Sequence, residues 1–442
     1  MKLVRLIFNC RLLLSNMDWG TWNKMKEIDR LVADTENSGV NPSYAWFSML
    51  LPTTPEIQRR SMARIAEGFK DIVPLDPPAR KRPRPRIGYI GSKIDANHVT
   101  GTLFTHLFPH HNTDDFDIFI FLTRKNEESH NCLRLFTTRK IYCIPLDHYE
   151  DDKEAAEFIR TFDIDLLIST DGWNDNPRAG IVAHKPAHKQ ALWQGTATTS
   201  GAPWFDYVVV DQVIDNQPKG WRSEEAIMMP DSYYIAGHVK NELVKPPLTR
   251  KQYGLPEDKF LFINLNGTSK LNPETWERWM FILSQCPDSV LVLVADKESV
   301  IKTLKERTKG FGVDADRIIF LPFVGVWDHV SRSGIGDLFL DTFYYGGHTT
   351  LAESLWMGVP AVTLEGVTMS AKVGASMLHS VGLSELITRD RNTYAKTAID
   401  IYNNPELLQH YKDRLNFNKW QSSIFDMGKQ AKSIEDFVLS LR

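Results

Sequence analysis

From about Arg84 onward, short apolar runs alternate with longer stretches in which apolar residues recur at helical spacing. Ile87 to Gly91, Phe116 to Leu122 (FDIFIFL), Ile141 to Leu146, Leu166 to Thr170, Ala191 to Trp193 and Tyr207 to Asp211 read as strands. Leu103 to Phe108 and Ala155 to Phe162 read as helices between them. Such alternation implies a mostly parallel sheet with helices on both faces. After a connector rich in Lys and Pro (Lys245, Pro246, Pro247) the pattern starts again, with strands at Phe260 to Leu265, Ser289 to Val294, Ile318 to Pro322, Asp337 to Leu340 and Pro360 to Leu364. Asn272 and Pro273 open a helix whose Trp276, Trp279, Met280 and Leu283 form one apolar stripe. The chain after Leu364 is mostly helical, and its last helix is expected to pack on the first domain.

The beginning differs. Trp22, Met25 and Ile28 share one helical face and Met62, Ile65 and Phe69 another, so the stretch from Met1 to about Asp71 reads as a helical segment. Pro74, Pro77, Pro78, Pro83 and Pro85, with the basic run RKRPRPR, read as a solvated linker. The resulting division is 1–83 helical segment and linker, 84–237 first α/β domain, and 238–442 second α/β domain with closing helices.

Composition narrows the class. With 442 residues, 42% hydrophobic and 24% charged, the chain can bury two sizeable cores. A formal net charge of −3 gives no reason to expect nucleic acid or an anionic membrane as partner. MKLVRLIFNCRLLLSNM has the positive start and apolar body of a targeting signal, but Asn9 and Arg11 interrupt it and no small-residue cleavage site follows, so it reads as a helix. No later segment approaches the roughly 18 continuous apolar residues of a membrane span. Cys10, Cys132, Cys143 and Cys286 are widely spaced, which suits packing in a reducing, cytoplasmic compartment.

Candidate chemistry concentrates in DTFYYGGHTTLAESLWMGVPAVTL, Asp341 to Leu364. A strand, the Gly346-Gly347 turn and a helix start at His348, Thr349 and Thr350 make an anion site, because unpaired helix N–H groups and the dipole point at the turn. Thr349 or Thr350 is expected to cap this helix, which ends at Gly358, and Thr350-x-x-Glu353 also matches a capping box. His98 follows the first strand of the first domain, and Lys270 the first strand of the second. In open parallel sheets ligands sit at such strand ends, so two domains of this kind are expected to face each other across a cleft. A histidine there can act as a base and a lysine can neutralise a diphosphate. His106, His110 and His111 lack the carboxylates that would complete a metal site, and Asp163-Ile-Asp165 precedes its strand and reads as a solvated turn. The dinucleotide fingerprint GxGxxG is absent from the first strand and turn, which disfavours hydride transfer.

DWGTWNKMKEIDRLV, ALWQGTATTSGAPWFDYVVVD, QYGLPEDKFLFINLN and LFLDTFYYGGHTTLAESLWMGVPAVTL together resemble the catalytic region of the nucleocytoplasmic protein O-GlcNAc transferases, a family that includes the SPINDLY-type O-fucosyltransferases. The resemblance implies a GT-B fold and inverting transfer from UDP-GlcNAc or a related UDP-sugar to Ser or Thr of intracellular protein or peptide acceptors, with no cofactor and no metal. By position, Lys270 then matches the lysine on the donor diphosphate, and His348, Thr349 and Thr350 the loop around the phosphates. His329 and Arg332 match residues that hold the uracil, Val324 and Val326 border that pocket, and His98 matches a proposed general base. Glu353 stands where the GlcNAc transferases carry an aspartate on the ribose. Val326 replaces a lysine, Gly267 a glutamine, and Tyr345 a smaller residue. These departures bear on which sugar is moved, and a weak sugar-nucleotide-binding scaffold or a UDP-sugar epimerase are the alternatives. Arg332 favours UDP over GDP, and the family's tetratricopeptide repeats are absent from this sequence.

Overall fold

The structure, a computed structural model, describes residues 17, 19, 20, 22–35, 40–78, 82–94, 98–124, 140–173 and 178–442. The expectations for the first 16 residues, for Cys10 and Cys132 and for Arg80 and Lys81 lie outside the described residues. The chain forms two compact units, one of residues 28–238 and 426–442, the other of residues up to 27 and 239–425.

In the first unit β1 (Arg86–Gly91), β2 (Asp117–Leu122), β3 (Ile141–Pro145), β4 (Leu166–Ser169), β5 (Lys189–Leu192), β6 (Tyr207–Val210) and β7 (Glu225–Met228) form a sheet in the order β3-β2-β1-β4-β5-β6-β7. Every pairing is parallel. This is the doubly wound pattern the alternation implied. In β2 the five residues Ile118–Leu122 are all buried, as expected of a strand covered on both faces. Helices Val99–Leu107 and Asp152–Arg160 lie within a few residues of their expected places, the second opened by Asp151, which accepts a hydrogen bond from Lys153 N.

The final helix, Met427–Ser440, belongs to this unit. Its Glu435 accepts from His111 Nδ1 at 2.7 Å and from Asn112 N at 2.9 Å, and His111 Nε2 meets the Tyr89 hydroxyl at 2.8 Å. His111 is thus a buried anchor for the last helix, and among the described residues no cluster of His, Cys, Asp and Glu could hold a metal ion.

Two expectations for this unit are corrected. The described arginines of the basic run are engaged in ion pairs: Arg82 pairs with Asp163 at 3.0 Å, and Arg84 and Arg86 pair with Asp117 at 2.8 and 3.0 Å. Asp163-Ile-Asp165 sits at the amino ends of the strands as placed, but it is no solvated turn either. Asp163 also meets His188 Nε2 at 2.7 Å, and Asp165 accepts from Arg86 N at 2.8 Å. Arginines entering β1 and carboxylates at the sheet's amino edge neutralise each other, which leaves the pair of aspartates already engaged.

The second unit repeats the pattern with β8 (Phe260–Gly267), β9 (Ser289–Val294), β10 (Ile318–Leu321), β11 (Leu338–Leu340), β12 (Ala361–Leu364) and β13 (Ile387–Thr388), ordered β10-β9-β8-β11-β12-β13 and all parallel. Helix Pro273–Gln285 is capped by Asn272 and buries Trp276, Trp279, Met280 and Leu283. Each such side chain contributes about 1.5–3 kcal/mol. The described residues of the helical stretch expected up to about Asp71 fall in both units. Trp22 and Met25 are buried with the second unit, where Trp19 packs on Trp276 at 6.3 Å, whereas helices Ile28–Ala33 and Pro55–Ala66 belong to the first.

Candidate functional site

The carboxyl ends of β8 and β11 carry the residues on which the sequence reading converged. β8 shifts register between Asn264 and Gly267 and turns through Thr268–Lys270, which turns the chain aside at the strand end. β11 ends at Leu340, and the loop from Asp341 leads into helix Thr349–Trp356, which closes at Gly358 with φ +87°.

Asp341 is the hub of this loop, a role the sequence reading missed. It is fully buried; one carboxylate oxygen accepts from Thr342 N at 2.9 Å and Gly347 N at 2.6 Å, the other from the Thr363 hydroxyl at 2.7 Å. Helix Met369–Ser380 passes so close that a Cβ on Gly374 would lie 2.5 Å from both Asp341 Oδ2 and Thr363 Oγ1, so glycine is required there. An aspartate directly after an apolar strand and before a Gly-Gly turn was the available signal.

Lys270 reaches into the same loop. Its ammonium donates to the Gly346 carbonyl at 2.8 Å and lies 4.0 Å from the Tyr345 ring centre. His348 Nδ1 donates to that carbonyl at 3.0 Å, and the His348 and Tyr345 rings meet edge to face at 5.0 Å. Burial lowers the Lys270 pKa from its ordinary value against the pull of the Asp341 charge, and burial raises that of Asp341. Burial, then the Lys270 charge, brings His348 down to about 3, so its ring is neutral with a lone pair on Nε2. An ammonium with little water around it gains strongly from an incoming anion.

A second group lies one turn along the same helix. Glu353 is buried, with Oε2 3.4 Å from His329 Nε2, and His329 Nδ1 accepts from Arg332 at 3.0 and 3.2 Å. Arg332 also donates to the Pro322 carbonyl at 2.5 Å. Hydrogen bonds therefore run from the Pro322 carbonyl at the end of β10 through Arg332 to His329 in helix Val326–Arg332, and the 3.4 Å approach of His329 Nε2 carries this polar contact on to the Glu353 carboxylate. Phe323 and Val324 stand exposed beside it. A cavity of about 370 Å³ opens at these strand ends, lined by Gly267, Ser269, Asp296, Lys297 and Phe323 among others.

The structure thus brings together Lys270, His348, Thr349 and Thr350, and next to them His329, Arg332 and Glu353, with Val324 and Val326 at the start of helix Val326–Arg332. The capping expectation is corrected. His348, not Thr349 or Thr350, occupies the N-cap, and its side chain makes no cap bond. Because the helix starts one residue early, Thr350 lies inside the first turn, and Glu353 turns to His329 in place of closing a capping box.

His98 belongs to the other unit. It caps helix Val99–Leu107, its Nδ1 accepting from Thr100 N at 3.1 Å. In the neutral ring this leaves the proton on Nε2.

A model of glycosyl transferase family 41 matches residues 17–246 and 239–434. A protein of Arabidopsis thaliana described as a probable UDP-N-acetylglucosamine–peptide N-acetylglucosaminyltransferase SEC is 30% identical over 440 residues, 94% of this chain and 44% of its own length. A SPINDLY protein of Solanum lycopersicum, described as a probable enzyme of the same kind, is 29% identical over 66% of this chain and 31% of its own length. The chain therefore spans less than half the length of these curated relatives. Among solved structures, a mutant of the Thermobaculum terrenum O-GlcNAc transferase superposes with a TM-score of 0.79 at 22% identity, covering 97% of this chain and 82% of that one. That likeness supports the two-domain α/β fold of GT-B type.

Proposed function

Because the chain belongs to glycosyl transferase family 41, we propose that it moves N-acetylglucosamine from UDP-GlcNAc to Ser or Thr hydroxyls of proteins, with inversion and without a metal ion. The observation that carries this reading is the Lys270 ammonium, held on the Gly346 carbonyl at the turn that opens helix Thr349–Trp356. When the bond from sugar to phosphate breaks, negative charge grows on the departing UDP; a lysine and a helix start stabilise it without reorganising. Arg332, His329 and Glu353 form the nucleoside end, with Phe323 and Val324 offering apolar surface to a base. His98, with its Nδ1 committed to the cap, serves the acceptor side as an Nε2–H donor; taking up a proton at Nε2 requires giving up the cap. The spacing of the cysteines supports a reducing compartment such as the cytoplasm. Among the described residues no helix is long and apolar enough to cross a membrane.

Tyr345, lying on Lys270, favours a second reading in which the same transfer uses a sugar without the acetamido group. A panel of labelled UDP-GlcNAc, UDP-Glc and GDP-Fuc with an acceptor protein tests both. Label on protein from UDP-GlcNAc supports the first reading and label from UDP-Glc or GDP-Fuc alone the second. Binding without transfer, or an altered free sugar nucleotide, overturns both.

A further inference from the structure

Glu274 lies outside the groups assigned above, at the second residue of helix Pro273–Gln285, yet three separate segments converge on it. Lys26 reaches Oε1 at 2.5 Å, Arg391 reaches Oε2 at 2.6 Å, and the Tyr344 hydroxyl donates to Oε2. Arg391 also meets the Tyr344 hydroxyl at 3.0 Å, Trp22 lies against the Tyr344 ring at 6.2 Å, and the Tyr344 carbonyl accepts from Ser370 Oγ at 3.0 Å. A carboxylate at a helix start needs no such company, and an isolated surface pair contributes about 0–1 kcal/mol. What this cluster holds is Tyr344, the residue before Tyr345. We propose that Glu274, with Lys26 and Arg391, is a positioning residue of the donor site: it fixes Tyr344, and through Tyr344 it keeps the Tyr345 ring on the Lys270 ammonium.

The proposal rests on reading the loop as a sugar-nucleotide site, and it makes the N-terminal segment that carries Lys26 and Trp22 a part of that site's support. If the clamp is loosened, Tyr345 leaves Lys270, water reaches the ammonium, and the lysine returns toward its ordinary pKa, about 10.4. The other titratable groups facing Lys270 stay silent in that range or keep their charge: Tyr345 is pushed up to about 12 by burial, His348 is neutral, and Asp341 remains a carboxylate.

The test is UDP affinity by calorimetry from pH 7 to 10 in the full chain, alongside kcat/KM for transfer, for wild type, Glu274→Gln, Tyr344→Phe and Lys26→Met. We expect the alkaline loss of UDP affinity to move to higher pH in the first two variants and less so in Lys26→Met, with kcat falling about tenfold. A merely structural role lowers the melting temperature and leaves that pH midpoint in place, and this result overturns the proposal. If wild type transfers no sugar while the midpoint still moves in the variants, the transferase reading fails and the clamp stands. A chain that binds no UDP overturns both.

Discussion

The two α/β units each place a histidine at the N-cap of a helix that follows a strand, and they use it in opposite ways. His98 has extended backbone angles, φ −107° and ψ 140°, and its Nδ1 accepts the helix's own Thr100 N–H. His348 has nearly the same φ, −108°, but ψ −98°, and its ring turns back so that Nδ1 donates to Gly346. One ring completes its helix start and carries its proton on Nε2. The other makes no cap bond and carries its lone pair on Nε2, next to the half-buried Lys270. A helix start served by its own N-cap side chain is a finished piece of structure, whereas one opened by a ring that faces away, beside an ammonium, suits the anion-holding role proposed for it.

Substitutions at four positions sharpen the contrast, beginning with the largest effect. Lys270→Ala removes the cation from the second unit's helix start and should lower kcat on the order of 100-fold or more, with a smaller change in UDP affinity, because the charge it stabilises grows in the transition state. Steady-state kinetics and calorimetry check this; wild-type turnover counts against the transferase reading. Asp341→Ala leaves the Thr342 and Gly347 amides and the Thr363 hydroxyl without their acceptor and should cost about 3–5 kcal/mol in denaturant unfolding. Asp341→Asn adds a sign. Burial raises the folded-state pKa of Asp341, so the stability it contributes is present below the unfolded-state value, about 3.9, and is lost as pH rises through the folded value. Wild type should therefore lose stability relative to the Asn variant across that interval, measured by denaturation at a series of pH values.

Arg332→Ala breaks the chain from Pro322 through His329 to Glu353 and should weaken UDP binding by about 1–3 kcal/mol. Unchanged UDP affinity, with GDP bound equally well, contradicts the nucleoside assignment. The smallest effect is at His98. His98→Ala should lose about 1 kcal/mol of stability and His98→Asn most of it regained, since asparagine also caps. The acid limb of the pH–rate profile should persist in His98→Asn; its disappearance would make His98 the base.

How much of this was legible follows from what each feature depends on. β2 and the stripe of helix Pro273–Gln285 were readable because burial on both faces, or on one, writes a pattern into the residues themselves. β7 and β13 were missed: each is a short strand at the end of its sheet, and a four-residue or two-residue edge leaves little periodicity to read. Lys270, His348, Thr349 and Thr350 were singled out from strand ends and the Gly-Gly turn, whereas His329, Arg332, Val324 and Val326 were named only through the family resemblance; the capping assignment slipped by a residue because Thr-Thr offers two cap candidates and His348 is a poor one by residue type. Asp341, Glu274 and Tyr344 went unassigned because their roles depend on partners distant in sequence, such as Thr363, Lys26 and Arg391. The same holds for the linker arginines, whose partners Asp117 and Asp163 lie beyond β1.

The central claim is that Lys270 and the start of helix Thr349–Trp356 supply the positive potential for UDP departure. The most direct measurement is the initial rate of label transfer from UDP-GlcNAc to an acceptor protein in excess EDTA, compared with the rate in Mn²⁺. Equal rates are predicted. Complete loss in EDTA with rescue by Mn²⁺ would contradict the account.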